Sequence, residues 1–238
     1  APTGFGVFGG LGTVMLGAVG VLRKVLILGL WPVGAVGLWR LSKPIGSRRS
    51  RIVATVAYVV VALPANSMAE GRWGGLVAYA AIPWIVSQLA AASRLAPFGD
   101  LSGSAGPGLR HRPLLHRILA VGAIAALAAV IEPAIVALMV LCALALVVGG
   151  LIAGQLAGAG RILVVGVGGA IVAVVLQLPW SLTVSDGWSA LVGVSSMNGY
   201  PADLGDLLRF GTGPFGTGPM SWALLATGAL PLLIGRRW

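Results

Sequence analysis

Charge is what this chain has least of. Only 9% of its 238 residues are Asp, Glu, Lys or Arg, where soluble domains carry about a quarter. A water-facing surface is therefore excluded over most of the length. Acids are the scarcer sign. There are six (Glu70, Asp100, Glu132, Asp186, Asp203 and Asp206), and they are scattered. Cys142 is the single cysteine, which rules out an internal disulfide and a thiolate metal site. The two histidines, His111 and His116, stand among Arg110, Arg112 and Arg117 with no carboxylate partner. They read as a basic collar at lipid headgroups, and no metal site is expected. A Ser/His/Asp set, a P-loop and a metal cluster are all missing.

What remains is oil and glycine. Hydrophobic residues make up 58% of the chain, and 37 residues are glycine. Long, nearly uncharged apolar runs need a bilayer as solvent. Small residues let helices in lipid approach closely. The sequence predicts an all-α integral membrane protein, a polytopic bundle of about seven transmembrane helices. The expected spans are 24–41, 52–66, 73–92, 115–131, 134–153, 162–180 and 219–235. The segment 12–22 is too short to span and is expected to lie at an interface or to re-enter. Pro32 and Pro83, beside Trp31 and Trp84, predict kinks that neighbouring helices tolerate. The outer loop 181–218 contains "PADLGDLLRFGTGPFGTGP". Asp203, Asp206 and Arg209 recur every third position there, which predicts a short amphipathic interfacial helix.

The net charge of +10 resembles a nucleic-acid signal, but the basic residues fall in short gaps between apolar runs. No soluble basic face exists to carry DNA or RNA, so no nucleic-acid partner is expected. Arg40, Lys43, Arg48, Arg49, Arg51, Arg94, Arg110, Arg112, Arg117, Arg161, Arg236 and Arg237 fall on one side of the predicted topology. Arg23, Lys24, Arg72 and Arg209 fall on the other. Twelve of the 16 basic residues against four put the first side in the cytoplasm. The N-terminus is then outside and the C-terminus cytoplasmic, in a multi-pass protein of the cell membrane. Tryptophans agree, with Trp39 and Trp238 near inner ends and Trp73, Trp180 and Trp222 near outer ends. The chain begins at Ala1, and its first basic residue is Arg23. It therefore opens with no signal-peptide charge region and reads as a piece of a longer protein.

Four local patterns carry possible chemistry. "GFGVFG" (Gly4, Gly6, Gly9) has the letters of a dinucleotide fingerprint, but no strand precedes it and no acid follows at the required distance. It is rejected. Gly150, Gly154 and Gly158 are four apart and predict one close-packed helical face. Glu132, in "VIEPAI", is expected in a tight outer turn, with a functional carboxylate as the alternative. The fourth is "LPANSMAEGRW", Leu63 to Trp73, which gathers Asn66, Glu70, Arg72 and Trp73 between two oily runs. A solvated turn with an indole anchor explains the polarity. A site is the alternative, since Arg suits phosphate and a Trp face holds a sugar ring or a lipid.

"GSRRSRIVATVAYVVVALPANSMAEGRWGGLVAYAAIPWIVSQLA" (Gly46 to Ala90) resembles the membrane region of large actinobacterial glycosyltransferase-like proteins. "LPWSL" (Leu178 to Leu182), "DLLRFGTGP" (Asp206 to Pro214) and "ALPLLIGRRW" (Ala229 to Trp238) are similar to later pieces of that region. In that family a cytosolic family-2 glycosyltransferase domain is often followed by a polytopic membrane domain. The layout is also similar to C-type glycosyltransferases, which use polyprenyl-phosphate sugar donors. The resemblance implies the membrane portion of a cell-envelope glycosyltransferase. Such a region would hold a lipid-linked sugar donor or a glycan acceptor at the outer face. It implies no cofactor in this chain, and a lipid-phosphate-linked or nucleotide sugar as donor for the full protein. It carries over no catalytic residue. Together with the outer polarity it gives Arg72 and Arg209 to phosphate, and Trp73 and Trp188 to sugar or lipid. Glu70 or Asp206 would bind hydroxyls, with Asn66 in the same turn. The rival readings are a transporter or flippase-like bundle, and a non-catalytic anchor for a cytosolic enzyme domain.

Overall fold

The computed structural model describes residues 18–44, 47–94, 113–178 and 203–208, together with 6, 9–10, 12–13, 98, 213–215, 218 and 221–223. Eight helices are named: α1 Val19–Leu41, α2 Arg48–Val60, α3 Ala62–Ala69, α4 Trp73–Ala92, α5 Leu114–Ala129, α6 Ala134–Ile152, α7 Ala159–Leu176 and the short α8 Leu204–Leu208. Among the described residues there is no strand. Five helical stretches are long and apolar enough to cross a membrane. They are Arg23–Leu41, Arg48–Ala69 (α2 with α3), Trp73–Ala92, Ala134–Ile152 and Ala159–Leu176. The expected 115–131 span is shorter, since α5 has 16 residues. Glu132 precedes Pro133 and is thereby disfavoured from continuing a helix. The expected 219–235 span lies mostly outside the described residues. Segment 12–22 is not wholly separate, because residues 19–22 belong to α1.

Prolines shape two of these stretches. A proline ring clashes with the carbonyl four residues back. Pro64 therefore stands against Val60, and the apolar run breaks at Val61, whose ψ of 135° separates α2 from α3. Pro83 sits inside α4 and leaves the Tyr79 carbonyl without its helical donor. Tyr58 supplies one, its hydroxyl donating to Tyr79 O at 2.6 Å while the two rings stack 4.5 Å apart. A neighbouring helix thus satisfies the group that the proline orphaned, as a low-dielectric surround requires.

The interior is built from small residues. Ala80, Ala81, Ala125, Ala128, Ala143 and Ala173 are buried, around Leu76, Ile85, Leu89, Val121 and Val165. Large apolar side chains face outward instead, with Val60, Leu127 and Ile152 exposed at 72, 75 and 81%. That inversion fits a lipid surround, where burial of oil drives nothing and close packing does. Helix directions follow from the contacts. Gly34 and Gly37 of α1 lie against Tyr79 and Trp84 of α4, in the same order along both chains. Ile118 and Gly122 of α5 lie against Gly168 and Gly169 of α7, again in parallel. Leu89 near Gly166, and Ser93 near Gly158, set α4 antiparallel to α7. One end of the bundle therefore collects Arg40, Lys43, Arg48, Arg49, Arg51, Arg94, Arg117 and Arg161. Glu70, Arg72 and Glu132 share the opposite end.

The glycine ladder is a correction. Helix α6 stops at Ile152, and Gly154 has φ 71°. Its N–H reaches Leu151 O at 3.0 Å, and the Gln155 N–H reaches Gly150 O at 2.8 Å. This is a Schellman turn, which needs a left-handed residue one position past the cap. Gly158 has φ 94° and caps α7. The fourfold spacing thus marks a helix stop and a helix start rather than one helical face.

Candidate functional site

The site is built on the end of α3. Gly71, at φ 68°, sends its N–H to Met68 O at 3.3 Å, and the Arg72 N–H reaches Ser67 O at 2.8 Å. This is again a Schellman turn, and the left-handed position favours glycine. The turn alone therefore accounts for the glycine between Glu70 and Arg72. It also projects both side chains from the helix end, where the Arg72 Nε lies 2.8 Å from Glu70 Oε2. The pair is 29% and 22% exposed, so as a stability device it is worth about 0–1 kcal/mol.

Asn66 is not explained by the turn. Its side chain is 1% exposed. Its Nδ2 donates to Phe215 O at 2.9 Å, and its Oδ1 accepts the Phe215 N–H at 2.7 Å. The amide clamps backbone from the far end of the sequence as a neighbouring strand would. The approach is close. A Cβ at Gly213 would lie 2.8 Å from Glu70 Oε1 and 2.9 Å from Asn66 Cβ and Cγ. The stretch Gly213–Phe215 thus rests on the α3 end, and only a residue without a side chain fits at Gly213.

Glu132 arrives from the α5–α6 turn. A Cβ at Gly74 would occupy the place of its carboxylate. Burial raises its pKa from the ordinary 4.5, opposed in part by a hydrogen bond from the Ala134 backbone. The folded chain therefore holds the proton more tightly than the unfolded chain. As pH rises above about 4.5, the unfolded state releases it first and gains stability. Glu132→Gln is uncharged throughout and should melt higher than wild type at about pH 8. The difference should vanish below the ordinary carboxylate range. Parallel melting curves for the two proteins across that whole range would contradict the burial argument.

An apolar groove of about 390 Å³ runs between α1, α4 and α5. Leu26 and Leu30 of α1, Val77 and Trp84 of α4, and Leu127 of α5 line it, and it reaches Ile131 beside Glu132. This volume lies in the range of small-molecule sites.

The structure brings together Asn66, Glu70, Arg72 and Trp73, the last half-buried as the first residue of α4. Asp206 is half-buried on α8, whose N-terminus is capped by Asp203 Oδ1 accepting the Leu204 N–H at 2.8 Å. A short helix is present at the expected place, as these five residues. Trp188 and Arg209 lie outside the described residues. Gly74, Gly213 and the Phe215 backbone were not singled out from sequence as site residues. Nothing local marks them, although Gly213 lies in a quoted motif. For Glu132 the sequence offers a tight outer turn, with a functional carboxylate as the alternative. Among the described residues no group of three His, Cys, Asp or Glu side chains could hold a metal. Comparison with protein-family models, curated proteins and solved structures finds no match to this chain.

Proposed function

We propose that this chain is the membrane portion of a cell-envelope glycosyltransferase and that the α3 end holds a lipid-linked sugar at the outer face. The observation that carries the reading is the Asn66–Phe215 clamp. It joins two polar motifs 149 positions apart and sets them beside Glu132. A polar cluster, with an oily groove that reaches Ile131 next to Glu132 in sequence, matches a molecule with a sugar-phosphate head and a hydrocarbon tail. Arg72 would meet the phosphate, Trp73 the sugar or lipid, and Glu70 and Glu132 the hydroxyls. The resemblance of the Gly46–Ala90 and Asp206–Pro214 segments supports the same reading.

A transporter is less well supported. Transporters place polar groups or broken helices near the bilayer centre. The break at Val61 within Arg48–Ala69 is of that kind, but among the described residues the buried polar side chains Asn66, Ser67, Ser93 and Gln177 fall near helix ends.

The test is turnover and binding of a polyprenyl-phosphate sugar by the whole protein, comparing wild type with Arg72→Ala and Glu132→Gln. Loss of a hydrogen bond to a charged group costs about 1.5–3 kcal/mol, so each variant should lose roughly 10- to 100-fold in kcat/KM. Unchanged turnover and binding in both would leave the region an anchor for an enzyme domain elsewhere.

A further inference from the structure

The opposite end of the bundle carries a second feature that the proposed site does not use. A cavity of about 430 Å³ lies between the end of α1 and the start of α2, lined by Trp39, Arg40, Lys43 and Arg51. The Arg51 guanidinium carbon sits 4.1 Å from the centroid of the Trp39 ring. That of Arg40 sits 5.2 Å from the centroid of the Trp84 ring. The two indoles therefore fix two cations at the cavity by cation–π attraction. Arg51 Nε is buried and has no hydrogen-bond partner. Among the described residues, no carboxylate pairs with Arg40, Lys43 or Arg51. Three cations thus surround one cavity.

Local structure explains why they converge. Ser42 closes α1 with its hydroxyl donating to Leu38 O at 2.9 Å, and Ser47 opens α2 by accepting the Ser50 N–H at 3.3 Å. This short connection brings Arg51, in the first turn of α2, back beside Trp39 in the last turn of α1. Next to the cavity the surface turns apolar at once, with Val36, Ile52 and Val53 exposed. Cationic side chains over an indole, at the edge of an oily flank, match a headgroup at a membrane surface.

We propose that this cavity binds the phosphate head of an anionic membrane lipid carrying two negative charges. A single phosphodiester charge would leave two of the three cations uncompensated. Two phosphates, or one phosphate monoester, balance them better. Guanidinium forks donate to phosphate oxygens in pairs, and Lys43 adds a mobile point charge. The hydrocarbon chains would lie along Val36 and Val53.

Native mass spectrometry of the chain in detergent, titrated with cardiolipin and with singly charged phosphatidylglycerol, tests this. Cardiolipin should bind at least roughly tenfold more tightly. Each cation near a lipid phosphate contributes about a fivefold factor, so the pair Arg40→Ala and Lys43→Ala should weaken cardiolipin binding roughly 25-fold. Both residues are exposed, and helix content by circular dichroism will confirm that the double variant folds. Arg51→Gln, nearer the interior, gives an independent second reading. Three results would each overturn the proposal. One is equal binding by the double variant and wild type. Another is equal affinity for the two lipids, which would mean only general surface attraction. The third is displacement of the lipid by inorganic pyrophosphate at matching concentration, which would mark a site for a free anion.

Discussion

Gly169→Leu should strongly destabilise the folded bundle. A Cβ at this position would lie 2.5 Å from Val121 Cγ1 and 3.4 Å from the Gly122 backbone nitrogen. The reciprocal test gives the same answer, because a Cβ at Gly122 would meet Val172 side-chain carbons at 2.6 Å and Gly169 O at 2.9 Å. Helices α5 and α7 therefore meet backbone to backbone, and neither can yield by turning a side chain. Further along the same seam Gln177 Nε2 donates to Ala126 O at 2.7 Å, buried between the helices. A leucine must push the helices apart, strand that amide and open the contacts of Val121, Val165 and Ala173. Overpacking of this kind costs about 1–3 kcal/mol or more before the lost hydrogen bond is counted. The measurement is the melting temperature in detergent and the monodisperse fraction on gel filtration. Gly149→Leu is the control, since nothing lies within 4 Å of its added Cβ. Equal melting temperatures for the two variants would refute the close-contact account.

Helix α4 shows what a single sequence can and cannot reveal. Its bounds, Trp73 and Ala92, coincide with the expected span 73–92. Arg72 and Ser93 punctuate the apolar run at both ends, and hydropathy is a local property. The break at Val61 was hidden for the opposite reason. Pro64 is the one local sign that Val60 loses its place in the ladder, but the residues around it are as oily as a straight helix, so hydropathy runs through it. Gly154 was misread because a spacing of four fits a helical face, whereas the left-handed turn depends on where the helix ends. The short helix at Leu204–Leu208 was legible from Asp203 and Asp206. The candidate site was half legible. Asn66, Glu70, Arg72 and Trp73 announce themselves as polar residues between apolar runs. Glu132 stands out as an acid between apolar runs and Gly213 lies within "DLLRFGTGP", but nothing local joins either of them, or Gly74, to the α3 end. Pairings across 149 positions, such as Asn66 with Phe215, leave no periodic signal in one sequence.

Asn66→Leu should release the 213–215 segment from α3 while leaving the bundle intact. Leucine is close in size to asparagine but can neither donate to Phe215 O nor accept from the Phe215 N–H. Leaving a buried polar group unsatisfied costs about 1–3 kcal/mol, and here two backbone groups are affected. The segment will move toward water rather than stay unpaired. Hydrogen exchange should therefore show the Phe215 amide losing protection by roughly 10- to 100-fold or more. The amides of Gly71 and Arg72 depend on Met68 and Ser67 carbonyls instead, and they should keep theirs. Asn66→Asp separates the two halves of the clamp, since a carboxylate still accepts the Phe215 N–H but cannot donate to its carbonyl. An intermediate loss is expected there. If Phe215 stays fully protected in the leucine variant, the amide is not what holds the two motifs together. Coupling to function follows from the same geometry. Gly213 can cover Glu70 only while Asn66 holds Phe215, so the leucine variant should weaken lipid-sugar binding as much as Arg72→Ala does. Loss of Phe215 protection with undiminished binding would assign the clamp to loop closure alone and place any sugar contacts on α3 and α4.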